Sequence, residues 1–314
     1  MKRREFVQVS ACLLAACVWG VAAQAETRTE KLRAKLESKD RNYVFVTMHR
    51  GDWRHAPENS SAAIEGAIKM GADIVELDVA KTKDGHYVLL HDGALDRVSN
   101  GKGKSTDLTL AEIKQYRLKD EKGQATEYPI LSLEEAFAIT KGRILVNLDK
   151  FNRDPAGITA FAKAQGVERE IVFKDGGTAE SAKKRYGQLF WDDFRAGDIF
   201  FMPIVQMNAK NVMDVVKGWE SCGAKVGAYE VCFSKEDPHE VFDYLQKTNH
   251  TGGPRIWVNT LWDSLCAGHT DERGHKGDAA GSWGWVLDQG ATMIQTDRPA
   301  DLIPYLEKLG RHSL

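Results

Sequence analysis

The sequence predicts an α/β chain that closes into a (β/α)8 TIM barrel with a small insertion after the second strand. Three observations predict it: short β-rich runs alternate with helically spaced apolar stretches from residue 43 onward, eight such runs can be counted, and one interval between them is longer than a crossover helix needs. Repeated β-then-α alternation makes neighbouring strands parallel, and eight such units close a sheet on itself. A doubly wound open sheet is the alternative arrangement of the same alternation.

Residues 1–25 precede the first unit and read differently. Lys2, Arg3 and Arg4 lead an apolar run over 7–23 that ends in Ala23-Gln24-Ala25, the layout of a secretory signal peptide. The run contains Gln8 and Ser10 and falls short of the roughly 20 apolar residues that span a bilayer, so no transmembrane segment is expected. Cleavage after Ala25 is the first choice. Arg3-Arg4 ahead of Phe6 also resembles a twin-arginine signal, and Leu14-Ala15-Ala16-Cys17 a lipoprotein box, although that box would leave residues 18–23 as an apolar stub. The expectation is an exported, periplasmic or secreted protein whose residues 26–314 form one domain.

Lys plus Arg (43) nearly cancels Asp plus Glu (45), so there is no basic field to gather nucleic acid, and the expected partner is a small molecule. Beyond the signal, Cys222, Cys232 and Cys266 match no zinc spacing. They read as small buried hydrophobes, with a disulfide as the alternative in an exported chain.

In chain order the strand candidates are 43–48, 73–79, 143–149, 170–173, 199–205, 225–233, 255–261 and 291–296, and helical spacing covers 60–70, 156–165, 209–222 and 238–247. Between the second and third strands lie about 60 residues with Gly85, Gly93, Gly101, Gly103 and a helix-like stretch at 109–116. They read as an insertion, about 80–130, on the second βα loop. A polar segment, 262–281, follows the seventh strand. Loops that follow barrel strands lie at the C-terminal face, where barrel enzymes keep their chemistry.

The first strand ends in His49-Arg50-Gly51, a proton carrier beside a bidentate anion clamp, as a phosphoester requires. In the second strand Glu76 and Asp78 share one face, while Val75, Leu77 and Val79 turn toward the helices. Two carboxylates inside a barrel repel each other unless a cation lies between them, and hard oxygen ligands favour Mg²⁺ or Ca²⁺ over zinc. A pair bridged to lysines is the alternative. After the Asp84-Gly85 turn a short β run delivers His91-Asp92; folded back over the mouth, His91 would face His49 as the second member of an acid–base pair, with Asp92 orienting a histidine or capping a turn. On the third strand Asp149 has the parity to complete an oxygen set with Glu76 and Asp78, and Lys150 could meet a phosphate oxygen or form a surface ion pair. Lys174, Gln206, Glu230, Asn259 and Trp262 are lumen candidates at strand ends, with Glu230 reaching toward Lys174 or substrate hydroxyls. Trp283 and Trp285 read as packing residues ahead of pocket walls.

His49-Arg50-Gly51, Pro57-Glu58-Asn59-Ser60, Gly71-Ala72-Asp73 with Glu76-Leu77-Asp78-Val79, Thr82-Lys83-Asp84-Gly85, His91-Asp92 and Leu95-Asp96-Arg97 together resemble the glycerophosphodiester phosphodiesterase family. The match is ordered and dense over 43–103 and returns in Gly290-Ala291 and Thr296-Asp297-Arg298-Pro299; residues 150–255 match only as generic barrel. The resemblance implies a divalent cation, Mg²⁺ or Ca²⁺, on Glu76 and Asp78, acid and base roles for His49 and His91, and a phosphate contact from Arg50. It also puts Glu58 near the metal, as a ligand or beside one. Where the family's third strand usually supplies Glu and then Lys two residues later, this chain has Asp149 directly followed by Lys150.

The activity so implied is hydrolysis of glycerophosphodiesters to glycerol phosphate and an alcohol through a cyclic phosphate. Substrate would be bound by Arg50, Lys150, Glu230 and Trp262. A phospholipase D-like or sphingomyelinase D-like lyase that stops at the cyclic phosphate, and a non-catalytic exported barrel that binds a phosphate ligand, are the rivals.

Overall fold

The computed structural model describes residues 25–236 and 239–313; the signal expected at 1–25 lies outside them but for its last residue. Eleven strands occur there: β1 (Phe45–Met48), β2 (Ile74–Lys81), β3 (Tyr87–Leu89), β4 (Arg117–Lys119), β5 (Ala125–Pro129), β6 (Leu145–Asp149), β7 (Ile171–Gly176), β8 (Phe200–Gln206), β9 (Ala228–Cys232), β10 (Arg255–Asn259) and β11 (Met293–Thr296). Each of the eight windows expected to hold a strand overlaps one of β1, β2 and β6 to β11. These eight pair in parallel in chain order, and β1 pairs with both β2 and β11. The ring is therefore closed, and the open-sheet alternative falls.

The strands are Val-, Ile- and Phe-rich and buried on both faces, as parallel strands between a lumen and a helical layer must be. Outward residues such as Val75, Leu77, Val79, Val146, Leu148, Phe173, Val258 and Ile294 join the large core under the helices. Inward residues change character along each strand. Their lower layer is apolar, with Phe45, Ile74, Leu145, Val172, Phe200, Met202, Ala228, Trp257 and Met293 packed against Leu32 and Leu36 of helix Arg28–Glu37, which plugs the N-terminal end. Two residues further along, the same faces carry buried Thr47, Glu76, Asn147, Lys174, Glu230, Asn259 and Gln295. A dry floor thus supports a polar upper lumen at the C-terminal face.

The insertion has its own small core of Ala80, Val88, Leu90, Leu95, Val98, Ile113, Leu118 and Ile130. Strand β3 runs antiparallel on β2, and β4 and β5 form a hairpin. The helix expected over 109–116 is a single turn, Leu110–Ile113, closed at its start by reciprocal Thr109 and Glu112 hydrogen bonds. The polar segment 262–281 is not an open loop. It folds into helices Asp263–Cys266 and Asp271–His275 and enters a π-helical turn, Ala280–Gly284. Cys222, Cys232 and Cys266 are free and buried, so the disulfide alternative fails. Trp283 is buried with its indole bonded to Asp271, and Trp285 stacks on His269 at 3.8 Å between ring centres. Both pack, as expected.

Candidate active site

The chain leaves β1 through a tight reversal. Arg50 and Gly51 take left-handed backbone angles, φ 55° and 76°, and the turn aims the Arg50 N–H at Glu76, whose Oε2 accepts it at 2.9 Å. Asn59, also left-handed at φ 59°, clamps Asp78 from two sides. Its amide donates to Asp78 Oδ2 at 3.0 Å, and its own Oδ1 accepts the Asp78 N–H at 3.1 Å. Ser60 then caps helix Ser61–Lys69. The Arg50-to-Ser60 segment is thus a scaffold for the acids of β2.

The register places Glu76 beside Asn147 and Asp78 beside Asp149. Glu76, Asp78 and Asp149 offer oxygens that all lie within 4.8 Å of one another. Burial, and then the charge of Asp78, raises the Glu76 carboxyl well above its ordinary value. Burial works the same way on Asp149, but Lys174 and Lys150 outweigh it and hold that carboxyl well below the usual range. Asp78 Oδ1 is buried without a hydrogen-bond partner among the described residues. An orphaned anionic oxygen in a set of three hard donors fits a divalent cation of the Mg²⁺ or Ca²⁺ kind.

Glu58 stands outside this trio. Arg97 grips its two oxygens at 2.7 and 2.8 Å, and Arg50 donates to the same Oε2 at 3.1 Å. Arg50 also brings Nε to 3.4 Å from Asp78 Oδ2. Lys150 is left-handed, φ 62°, and its ammonium lies on Asp149 Oδ2 at 2.8 Å; it pairs with the acid next to it and remains part-exposed. Deeper in the lumen the buried cation is Lys174, 3.3 Å from Glu230 and 3.9 Å from Asp149. Asn259 completes the Glu230 surroundings, donating to its Oε1 at 2.8 Å.

Each predicted histidine has a carboxylate behind it. His49, 8% exposed at the mouth, directs Nδ1 at Asp297 Oδ1, 2.9 Å away, and the Trp53 indole donates to the same oxygen at 2.6 Å. A carboxylate can only accept, so Nδ1 carries the proton and Nε2 is the free nitrogen. Burial works to raise the Asp297 carboxyl, and the His49 hydrogen bond and charge, with the Trp53 indole, outweigh it and hold it below the ordinary value. Trp262, 46% exposed, meets the His49 ring edge to face at 5.9 Å.

His91 directs Nδ1 at Asp92 Oδ1, 2.7 Å away. Hydrogen bonds from Arg97, then His91, bring the Asp92 carboxyl down to about 2 against its partial burial. The loop is tied to the barrel where Leu90 N–H donates to Asp78 C=O at 2.9 Å and Arg153 donates to Val79 and His91 C=O, each at 2.9 Å. Asp297, Arg97 and Arg153 receive no role from the sequence alone. The Thr296-to-Pro299 motif is the one signal for Asp297, and Leu95-Asp96-Arg97 for Arg97.

Residues 49–185 match the model described as the glycerophosphoryl diester phosphodiesterase family, and residues 201–306 match a domain of unknown function. A glycerophosphodiester phosphodiesterase of Caldanaerobacter subterraneus is 53% identical over 72 residues, 23% of this chain and 30% of that protein. Mouse glycerophosphodiester phosphodiesterase 1 is 40% identical over 107 residues, 33% of this chain and 32% of its own length. The chain thus spans about a third of the curated relatives it matches. Among solved structures, a glycerophosphoryl diester phosphodiesterase from Parabacteroides distasonis superposes with TM-score 0.71 at 24% identity, covering 90% of this chain and 92% of its own. An Oleispira antarctica phosphodiesterase, solved with the product sn-glycerol-3-phosphate, superposes at 0.58 and 20% identity over 84% and 96%. These two show the shared barrel. The stretch that matches the glycerophosphoryl diester phosphodiesterase family, residues 49–185, is the one that carries His49, His91 and all three clustered acids.

Proposed function

We propose that the protein hydrolyses glycerophosphodiesters to glycerol phosphate and an alcohol, with His49 and His91 as acid and base. The observation that carries this is the meeting of Glu76, Asp78 and Asp149 in the upper lumen, on a barrel whose mouth presents two carboxylate-backed histidines. The product complex of the Oleispira relative supports the glycerol phosphate half of the substrate. One divalent cation, Mg²⁺ or Ca²⁺, held by the three acids would neutralise phosphate charge and polarise the phosphoryl oxygens.

The chain's own groups do the rest. Arg50 turns its guanidinium from Glu58 and Asp78 toward the diester and adds positive charge where negative charge develops. One imidazole takes the proton of the neighbouring glycerol hydroxyl as that oxygen attacks phosphorus, and the other protonates the departing alcohol; the roles exchange when water opens the cyclic phosphate. Asp297 and Asp92 keep each Nδ1 protonated, so each Nε2 faces the reaction. Lys150, Glu230 and Trp262 bind the substrate's remaining groups. Export rests on the layout of residues 2–25.

His49→Ala and His91→Ala are each expected to lower kcat on glycerophosphocholine by at least about 10²-fold while the unfolding transition is kept. ³¹P NMR of the wild-type reaction with Mg²⁺ or Ca²⁺ follows the product. Accumulating cyclic phosphate would favour the lyase, for which Asp149 in place of the family's Glu is the supporting observation. Near-normal turnover by either variant would reject the acid–base assignment.

A further inference from the structure

Asp271 is a buried acid that this mechanism does not use. It lies in the polar segment after β10, 2% exposed, and its hydrogen-bond partners are all neutral. Oδ1 accepts from the Thr260 hydroxyl at 2.6 Å, the Trp283 indole at 2.8 Å and the Thr296 hydroxyl at 2.8 Å; Oδ2 accepts the Asp297 N–H at 2.7 Å. Burial pushes the carboxyl up to about 6 despite those donors. An acid taken out of water without a cation among its partners is costly, so its donors must be specifically arranged for it to persist.

What the arrangement fixes is the exit of β11. The Thr296 hydroxyl that donates to Asp271 also accepts the Arg298 N–H at 2.9 Å. The Asp297 peptide is thereby held on both sides, and its C=O accepts from Arg54 at 2.7 Å. Its side chain is then left to meet His49 and Trp53. We propose that Asp271 is a positioning residue for His49, acting through the Asp297 peptide to hold the Asp297 carboxylate on Nδ1. The inference rests on the phosphodiesterase reading for its kinetic consequence only.

Thr260, Asp271, Trp283, Thr296 and Asp297 all fall in residues 201–306, the stretch matched as a domain of unknown function, whereas His49 falls in the other match. The second half of the barrel thus orients a histidine supplied by the first.

The test is Asp271→Asn, which keeps the shape but turns an N–H₂ or a neutral oxygen toward the Asp297 N–H. In protein with ¹⁵N-labelled histidine, the His49 Nδ1–H resonance is expected to move upfield and broaden while the His91 signals stay unchanged. With substrate, kcat should fall on the order of 10- to 100-fold with KM within about twofold. Asp297→Asn should do the same, and the double variant should be no worse than Asp297→Asn alone. If Asp271→Asn does not fold, Thr260→Val removes one donor and should move the His49 resonance in the same direction. Unchanged His49 resonances, or a lowered Tm with wild-type kcat, would overturn the proposal. A wild-type protein without turnover would instead sink the phosphodiesterase reading and leave the NMR result standing.

Discussion

Lys174 decides the charge balance of the lumen. Glu76, Asp149 and Glu230 act on it, while Arg50 and Lys150 bring their charges to Asp78 and Asp149 from nearer the mouth. Burial pulls the Lys174 ammonium toward neutrality, but the charges of Glu230, Asp149 and Glu76 outweigh it and keep the proton on. Removing one member of a buried pair leaves its partner uncompensated. Lys174→Met, which keeps the stem, should therefore destabilise the metal-free protein by about 3–5 kcal/mol in denaturant unfolding. The remaining acids should then gain more from a divalent cation, so the rise in Tm on adding Mg²⁺ or Ca²⁺ should exceed the wild-type rise. Equal stability and an equal metal shift would show that the lumen does not depend on this ammonium.

At the scale of an element, the β1 exit loop joins backbone conformation to chemistry. Gly51 has φ 76°, and a Cβ there would lie 2.7 Å from the carbonyl carbon and oxygen of Ala63. The loop can lie on helix Ser61–Lys69 only without that atom, and the same contact sets the Arg50 N–H on Glu76. Gly51→Ala combines left-handed strain with a backbone clash and should cost at least about 2 kcal/mol, read from denaturant midpoints, with divalent-cation affinity falling alongside it. Retained affinity would separate the loop from the acids. Elements of this kind are legible in the sequence where their signal is local. Alternation finds all eight barrel strands, and period two puts Glu76 and Asp78 on one face and gives Asp149 its matching parity. Parity along the strands also brings Glu230 toward Lys174, but contacts made by the loops beyond the strand ends are not legible. The Asp297 carboxylate behind His49 is 248 positions away and depends on β11 closing the ring onto β1, and the Arg97 grip on Glu58 crosses 39 and depends on how the insertion folds back over the mouth. The polar composition of 262–281 hides a folded segment because its order comes from one buried carboxylate that collects hydroxyl, indole and amide donors.

For the whole molecule, two matched stretches raise the question of whether there are two folding units. The boundary between them falls between β7 and β8, in the middle of a closed ring. Cutting there would leave β1 without β11 and β7 without β8, two exposed edges for each half. It would also divide the apolar floor, which takes Phe45, Ile74, Leu145 and Val172 from the first half and Phe200, Met202, Ala228, Trp257 and Met293 from the second. The plug is shared as well: Arg255 on β10 donates to Leu36 C=O at 2.8 Å and to Lys35 C=O at 2.7 Å, closing the end of helix Arg28–Glu37. Neither half can bury its inward face alone, so the chain from residue 26 should unfold in a single transition by heat or urea. Fragments 26–198 and 199–314, expressed separately, should show no cooperative transition and no ordered near-ultraviolet circular dichroism. A cooperative transition in the isolated 199–314 fragment would make that stretch a domain in its own right, and the orientation of His49 by Asp271 and Asp297 would then be a contact between domains.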